Sequence, residues 1–254
     1  METNNEKRLA GKTIVCFGDS ITGSGSGFGT DIATYLADFT GATVYNIGYG
    51  GCRMTTYMPH EQWDAFSMYR LAEAVGKNDY SYQLASFSFD DGYSKHGYYF
   101  RDHYEKLINI DFNKVDIVTI AYGTNDLTAG RLAPNDDYTA SFTGSLKYSI
   151  EQILNAYPHI KIYLCTPIYR AWLNEDKSFL EDSETKEFKG YKLTDYVQAV
   201  KDVGAECGLP VIDLYYNLGI NKDNRLNYFT EKDGTHPDER GRYHMAKYMA
   251  ENIF

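Results

Sequence analysis

The sequence has no long apolar run and comparatively little basic charge, and each shortage excludes a class of protein. No stretch approaches the roughly 18–20 apolar residues that a membrane-spanning helix requires. Acidic residues outnumber basic residues by 35 to 25, and the net charge of −10 repels phosphate backbones. We therefore expect no membrane span and no nucleic-acid partner.

Cysteines are also few, and an apolar leader is absent. The four cysteines are Cys16, Cys52, Cys165 and Cys207, and no two form a C-x-x-C pair. A disulfide framework or a zinc site is therefore not expected. The first residues, Met1 to Ala10, are polar and lack the apolar segment of a signal peptide, so we expect a cytoplasmic protein unless a leader has been removed.

The glycine-rich run that begins at Gly18 lacks the signatures of nucleotide loops. No lysine follows its glycines, as a Walker A loop requires, and the Gly-x-Gly-x-x-Gly spacing of a dinucleotide loop is absent. A Gly-x-Ser-x-Gly elbow is missing as well, which argues against an ordinary α/β-hydrolase.

Short apolar runs alternate with longer helical patterns along the 254 residues, a length that suits one large domain. The predicted strands are residues 13–17, 43–46, 115–122, 160–165 and 210–214. The predicted helices are residues 31–39, 138–156, 193–207 and a last one that begins near Pro237. This order predicts an α/β sandwich around a parallel sheet, in a single domain spanning residues 1–254.

Two segments are longer than this alternation needs. Residues 52–111 form an insertion, in which 66–75 has a helical pattern and 90–100 resembles an irregular aromatic loop. Residues 167–192 form a polar, charged loop. We expect both segments to border the functional site. Many of the 24 tyrosines fall between positions 45 and 104, where they either bind a polar ligand such as a sugar or simply pack at half-buried positions.

Polar or glycine-rich turns follow the predicted strands, where parallel α/β sheets bind their ligands. Gly18-Asp19-Ser20 follows the first strand, and residues 46–53, rich in glycine, cover the end of the second. Gly123-Thr124-Asn125-Asp126 follows the third, and Asp233-Gly234-Thr235-His236-Pro237 precedes the last helix. We expect these four turns to meet at one edge of the sheet.

The residue types in these turns suit nucleophilic catalysis. A carboxylate at Asp233 can orient the His236 ring three residues later and leave its other nitrogen free as a base. That base would activate the Ser20 hydroxyl, which is a poor nucleophile on its own. The Ser20 N–H, a glycine N–H after the second strand and the Asn125 amide could stabilise the oxyanion that forms.

These four ordered blocks make the sequence similar to the SGNH hydrolase superfamily, also called the GDSL esterase/lipase family. The resemblance implies a three-layer α/β/α sandwich with a parallel, flavodoxin-like sheet, and ester hydrolysis through an acyl-serine without a metal or cofactor. It implies Ser20 as the nucleophile, His236 as the base and Asp233 as the orienting carboxylate. Ser20 and Asn125 would supply oxyanion donors together with Gly51, or with Gly48 as the alternative.

We therefore predict a serine esterase whose partner is a small-molecule or glycan ester, with carbohydrate O-acetyl esters as the first expectation. The alternatives are a lipase or thioesterase for longer acyl chains, a metal-dependent phosphoesterase, and a glycan-binding relative without activity. A phosphoesterase would use Asp19, Asn125 and His236 as ligands. The candidate substrate-binding residues are Asp19, Arg53, Tyr169, Arg170 and Trp172.

Overall fold

A computed structural model of the chain describes residues 7–23, 29–89, 99–132 and 137–254. Most of the predicted irregular loop, at residues 90–98, lies outside these ranges. Within them, no helix is both long enough and apolar enough to cross a membrane.

Within the described residues, the main sheet has five parallel strands and a second, smaller sheet has two. The main sheet has the order β2-β1-β3-β4-β7, which is the flavodoxin-like order predicted from the resemblance. The strands are β1 (Thr13–Gly18), β2 (Thr43–Gly48), β3 (Ile117–Ala121), β4 (Lys161–Cys165), β5 (Ala171–Leu173), β6 (Phe179–Asp182) and β7 (Val211–Ile212).

Helices cover both faces of this sheet. They are α1 (Ser20–Gly23), α2 (Ile32–Thr40), α3 (Glu61–Asp64), α4 (Met68–Lys77), α5 (Ser81–Ser86), α6 (Phe100–Ile108), α7 (Thr124–Ala129), α8 (Phe142–Ala156), α9 (Leu193–Cys207), α10 (Leu214–Asn217) and α11 (Glu239–Asn252), with short 3₁₀ turns at Phe112–Lys114 and Arg225–Asn227. Helix α9 has the predicted bounds, since Gly208 caps it in the left-handed conformation.

Two apolar cores, one on each face, hold the three layers together. Val15 and Phe17 of β1 point into the core beneath α4, α8 and α9, and Ile14 and Cys16 point into the core beneath α2 and α11. This two-residue alternation, with nearly every position buried, is what a sheet covered on both faces requires. The structure therefore confirms the α/β/α sandwich.

Helices α2 and α11 pack together on one face of the sheet although they are far apart in sequence. The Tyr35 hydroxyl donates to Glu239 Oε1 at 2.9 Å, and Arg242 Nε donates to the Thr30 carbonyl at 2.8 Å. Arg242 is fully buried in this contact. The end of the chain is thereby fixed against the segment that follows the first strand.

The two long segments contain structure that the sequence interpretation did not predict. The insertion holds α3, α5 and α6 in addition to the predicted helix, and α6 begins at Phe100, where an irregular loop was expected to end. The polar segment contains β5 and β6, which form an antiparallel hairpin.

The carboxyl ends of the central strands lie at the same level. Gly18 pairs with Gly48 in β2 and with Ala121 in β3. A β-carbon on Gly48 would lie 2.4 Å from the Gly23 nitrogen, so only glycine lets α1 approach β2 this closely. Register and close approach together bring the turns after β1, β2 and β3 to one edge.

Candidate active site

Ser20, His236 and Asp233 form a continuous hydrogen-bonded chain at this edge. The Ser20 hydroxyl lies 2.8 Å from His236 Nε2. His236 Nδ1 lies 2.8 Å from Asp233 Oδ2. Because an ionised carboxylate can only accept a hydrogen bond, Nδ1 is the nitrogen that carries the ring proton. Nε2 is then free to accept the serine proton. The arrangement therefore suits deprotonation of Ser20.

The loop that carries His236 is held by its own carboxylate and by β5. Asp233 Oδ1 accepts from the backbone N–H of Thr235 at 2.7 Å and of His236 at 3.0 Å. The Ala171 N–H at the start of β5 donates to the Gly234 carbonyl at 2.8 Å. A β-carbon on Gly234 would lie 2.4 Å from the Ala171 carbonyl oxygen. The β5–β6 hairpin thus packs directly against the His236 loop.

Asp233 is ionised over the whole physiological range. Its partial burial raises the pKa of its carboxyl, but hydrogen bonds from the side chain and backbone of His236 outweigh this and lower the pKa to about 2. A fixed negative charge beside Nδ1 stabilises the imidazolium that forms when His236 accepts a proton.

Gly51 and Asn125 stand beside Ser20 at the mouth of the site. Gly51 has a φ of 77°, and a β-carbon there would lie 2.8 Å from the Trp63 ring, so the position requires glycine. One N–H of the Asn125 amide donates to the Cys52 carbonyl at 2.9 Å, which orients the side chain. Gly48 differs from Gly51, because its N–H already donates to Asn46 Oδ1 at 3.1 Å.

The buried carboxylate of Asp126 holds the segment that follows Gly51. Asp126 Oδ2 accepts from the Met54 N–H at 3.0 Å. Oδ1 accepts from the Thr55 N–H at 3.1 Å and from the Thr55 hydroxyl at 2.9 Å. Burial raises the pKa of Asp126, and these hydrogen bonds oppose that rise. Residues 51–55 are thereby tied to the helix that carries Asn125.

An open cavity of about 450 Å³ lies over Ser20 and His236. One wall is aromatic and close-packed: the Trp63 and Phe100 ring centroids are 5.6 Å apart, and those of Tyr99 and Phe100 are 5.5 Å apart. The cavity is lined by Ser20, Gly50, Gly51, Trp63, Tyr99, Phe100, Asn125, Arg170, Thr235 and His236. It therefore has room for a small ester directly at the serine hydroxyl.

Residues 16–242 match the GDSL-like Lipase/Acylhydrolase family. The chain belongs to this family. Membership implies ester hydrolase activity. No curated protein matches the sequence significantly.

Solved structures with the same fold cover nearly the whole chain of this GDSL-like protein. A possible lipase from Chitinophaga pinensis is 21% identical with a TM-score of 0.58, covering 94% of this chain and 96% of its own. A lipase/acylhydrolase from Enterococcus faecalis is 18% identical with a TM-score of 0.54, covering 95% of each chain. A carbohydrate acetylesterase from Sinorhizobium meliloti is 15% identical with a TM-score of 0.55, covering 94% of this chain and 97% of its own.

Of the predicted substrate-binding residues of this GDSL-like protein, Arg170 is the one that lines the cavity. Its guanidinium carbon lies 4.6 Å from the centroid of the Trp172 ring, which in turn packs against Phe188. Burial lowers the pKa of Arg170, and the charges of Asp19 and Asp233 counteract this. The charges of Asp19 and Asp233 thus act on Arg170, and its guanidinium stacks against the Trp172 ring.

The other predicted contacts are placed elsewhere. Arg53 stacks on Tyr57, 3.8 Å from the ring centroid. Tyr169 is buried, and its hydroxyl donates to Asp182 Oδ2 at 3.1 Å. Neither residue lines the cavity over Ser20.

Asp19 is buried beneath the site. Its Oδ1 accepts from the Ile21 N–H at 2.9 Å, which holds the turn that presents Ser20. Burial raises the pKa of Asp19 to about 6, although that hydrogen bond and the charge of His236 lower it. In the part of the chain that the structure describes, no three His, Cys, Asp or Glu side chains come together as a metal site would need.

Trp63, Tyr99 and Phe100 are cavity residues that sequence reasoning missed. All three belong to the insertion, whose aromatic richness was noted without singling them out. The sequence does contain a signal for the helix that carries Phe100. Helical spacing relates the four residues that form the buried face of α6, which are Phe100, His103, Tyr104 and Leu107. Among the tyrosines of this cluster that the structure describes, Tyr49, Tyr69 and Tyr104 are buried and therefore pack in the interior.

Proposed function

We propose that this protein is a serine esterase that removes short acyl groups, with O-acetylated carbohydrates as its substrate class. The observation that carries the proposal is the hydrogen-bonded chain from Asp233 through His236 to Ser20, with 2.8 Å at both side-chain contacts. Family membership supports ester hydrolysis independently of that geometry.

In the proposed mechanism, His236 Nε2 takes the hydroxyl proton of Ser20 as Oγ attacks the ester carbonyl. The carbonyl π electrons move onto oxygen, and the N–H groups of Ser20 and Gly51 with the Asn125 amide stabilise this oxyanion. Each such donor contributes about 2.7–4 kcal/mol to transition-state stabilisation. The tetrahedral intermediate collapses, and the alcohol leaves with the proton held by His236. Water, deprotonated by His236, then attacks the acyl carbon, the bond to Ser20 Oγ breaks, and Oγ takes the proton back from His236 as the acid is released.

Gly51 is favoured over Gly48 as the backbone donor. The Gly48 N–H is already engaged by Asn46, whereas Gly51 lines the cavity beside Ser20. A donor committed to a buried partner would have to break that bond before it could stabilise an oxyanion.

The aromatic wall supports a short acyl group and a sugar-like alcohol. Trp63 packs against Gly51 and closes the space next to the proposed oxyanion donor, which leaves little room there for a long chain. Aromatic faces also suit the apolar faces of sugar rings. The Sinorhizobium meliloti carbohydrate acetylesterase, a structural neighbour, makes acetylated sugars the first class to test.

The test compares Ser20→Ala with the parent protein on p-nitrophenyl acetate and on acetylated sugars. We expect Ser20→Ala to lose at least about a thousandfold in kcat, because no other group supplies the nucleophile. Ser81→Ala, an exposed serine at the start of α5, is the matched control and should keep full activity. Equal rates for Ser20→Ala and the parent would refute the mechanism, and a clear preference for octanoyl over acetyl esters would refute the substrate class in favour of a lipase.

A further inference from the structure

Arg170 presents an almost unused guanidinium to the active-site cavity. Among the residues that the structure describes, its guanidinium makes one hydrogen bond, a long one of 3.4 Å from Nη1 to the Thr124 carbonyl. Its Nε is buried without a partner. A guanidinium carries five N–H donors, and leaving them unpaired in a partly buried position costs free energy.

The backbone holds this side chain in place before any ligand arrives. The Arg170 N–H donates to the Ser183 hydroxyl at 3.2 Å, and its carbonyl accepts from the Ser183 N–H at 2.9 Å. The guanidinium also stacks against the Trp172 ring. A charged group fixed in this way loses little conformational entropy when it binds a ligand.

The nearby carboxylates do not use these donors. Asp233 accepts from His236 and Thr235, and Asp19 accepts from the Ile21 N–H. Neither lies within ion-pair distance of Arg170 in the described part of the chain, although the charges of both act on it. Arg170 lines the cavity that holds Ser20 and His236, so its uncommitted donors lie next to a ligand bound there.

We propose that Arg170 binds a carboxylate of the substrate, so that the preferred substrate is an anionic ester such as an O-acetylated uronate. This inference rests on the proposed esterase function and narrows it. A planar guanidinium matches a carboxylate with two parallel hydrogen bonds, which neutral sugars cannot provide. The net charge of −10 means that such an anion is selected inside the cavity rather than attracted by the protein surface.

The experiment compares the kcat/KM of an anionic ester with that of a matched neutral ester, so that any general loss of activity cancels in the ratio. One pair of substrates is O-acetylated methyl glucuronoside and the carboxamide of the same uronate, which carry the same acetyl ester and differ in charge on the alcohol side. A second pair, monomethyl glutarate and methyl valerate, places the charge on the acyl side. The kcat/KM of each substrate is measured by pH-stat for the parent, Arg170→Gln, Arg170→Lys and the control Arg101→Gln, an exposed arginine outside the cavity.

We expect the parent to prefer the anionic member of one pair by at least about tenfold, and the pair that responds identifies which side of the ester carries the carboxylate. Arg170→Gln should bring that ratio to about one, Arg170→Lys should keep part of it, and Arg101→Gln should leave it unchanged. The preference should weaken less with added salt than an exposed ion pair would, because Arg170 is only partly exposed. If Arg170→Gln slows charged and neutral esters equally, Arg170 merely balances Asp19 and Asp233, and the proposal is overturned.

A binding measurement separates this inference from the proposed function. Methyl glucuronoside and its neutral carboxamide are titrated into Ser20→Ala protein by ligand-observed NMR, with and without Arg170→Gln. We expect Ser20→Ala protein to bind the carboxylate about tenfold more tightly than the carboxamide, and the double variant to bind both equally. That result would support the inference without any turnover. Equal binding of both ligands overturns it, even if Ser20-dependent ester hydrolysis is observed.

Discussion

Asp126→Asn offers a direct test of how the segment after β2 is positioned. The buried carboxylate accepts three hydrogen bonds, one from Met54 and two from Thr55. An asparagine has one acceptor oxygen, and its NH₂ group cannot accept from an N–H. With the amide oxygen facing Thr55, the Met54 N–H is left unpaired, and the opposite orientation leaves two donors unpaired.

The number of donors left unpaired gives the expected loss in the free energy of unfolding. One buried unpaired donor costs about 1–3 kcal/mol. Removing a buried charge recovers part of the cost, so we expect about 2 kcal/mol rather than the 3–5 kcal/mol of a broken buried ion pair. For a chain of this size, that corresponds to a decrease in Tm of roughly 4–8 °C.

The same change should reduce catalysis. Met54 and Thr55 follow Gly51 closely, and the Cys52 carbonyl orients the Asn125 amide. A displacement of about 1 Å in this segment would lower kcat by up to about a hundredfold, with a smaller effect on KM. Differential scanning calorimetry and p-nitrophenyl acetate kinetics measure the two effects.

Asp137→Asn is the control, because Asp137 also accepts three hydrogen bonds from nearby residues, Thr139 and Ala140, but is exposed and uses Oδ1 for all three. An amide oxygen at the Oδ1 position can accept all three bonds, so we expect a change below about 0.5 kcal/mol. If Asp126→Asn unfolds at the parent temperature, Asp126 does not hold residues 54–55. If it is destabilised with an unchanged kcat, the position of Gly51 does not depend on it.

Three further predictions concern the Asp233 carboxylate and the aromatic wall. Asp233→Asn should lower kcat by roughly a thousandfold or more, since a neutral amide does not stabilise the His236 imidazolium; a loss below tenfold would contradict this. Because the pKa of Asp233 is lowered from 3.8 to about 2, its contribution to stability is full above about pH 4 and is lost as the pH falls through 2, so the parent's advantage in Tm over Asp233→Asn should shrink across that window. Trp63→Leu should raise the ratio of octanoyl to acetyl ester kcat/KM by about tenfold, and an unchanged ratio would mean that the acyl group lies elsewhere.

The sheet could be predicted because its strands are short apolar runs with clear ends. Residues 117–121 are buried on both faces, and Asp116 marks the start of that strand by accepting from the Thr13 N–H. Helix α9 was predicted to the residue because Gly208 is a cap whose conformation few other residues adopt. The bounds of these elements are determined by residues within or next to them, so they can be predicted from the sequence.

The hairpin and the cavity wall depend on contacts that local patterns do not show. Phe179 and Leu180 of β6 are exposed, so this strand has no apolar face to signal it, and backbone bonds hold it instead. Trp63 reaches Gly51 only through the tertiary fold of the insertion. The ordered polar turns predict where the site lies, but the contact of Trp63 and Tyr99 with the cavity is not visible in the pattern of their own segments.

His236 follows Ser20 by 216 positions, and the packing of α11 on α2 is what brings its loop back to the serine. During synthesis on a ribosome, the residue proposed as nucleophile therefore emerges long before the base that activates it. A nascent chain would carry an inert hydroxyl until α11 has been made and has docked on α2. Under the proposed mechanism, turnover of a chromogenic ester would therefore report that the chain has been synthesised and folded at least as far as α11.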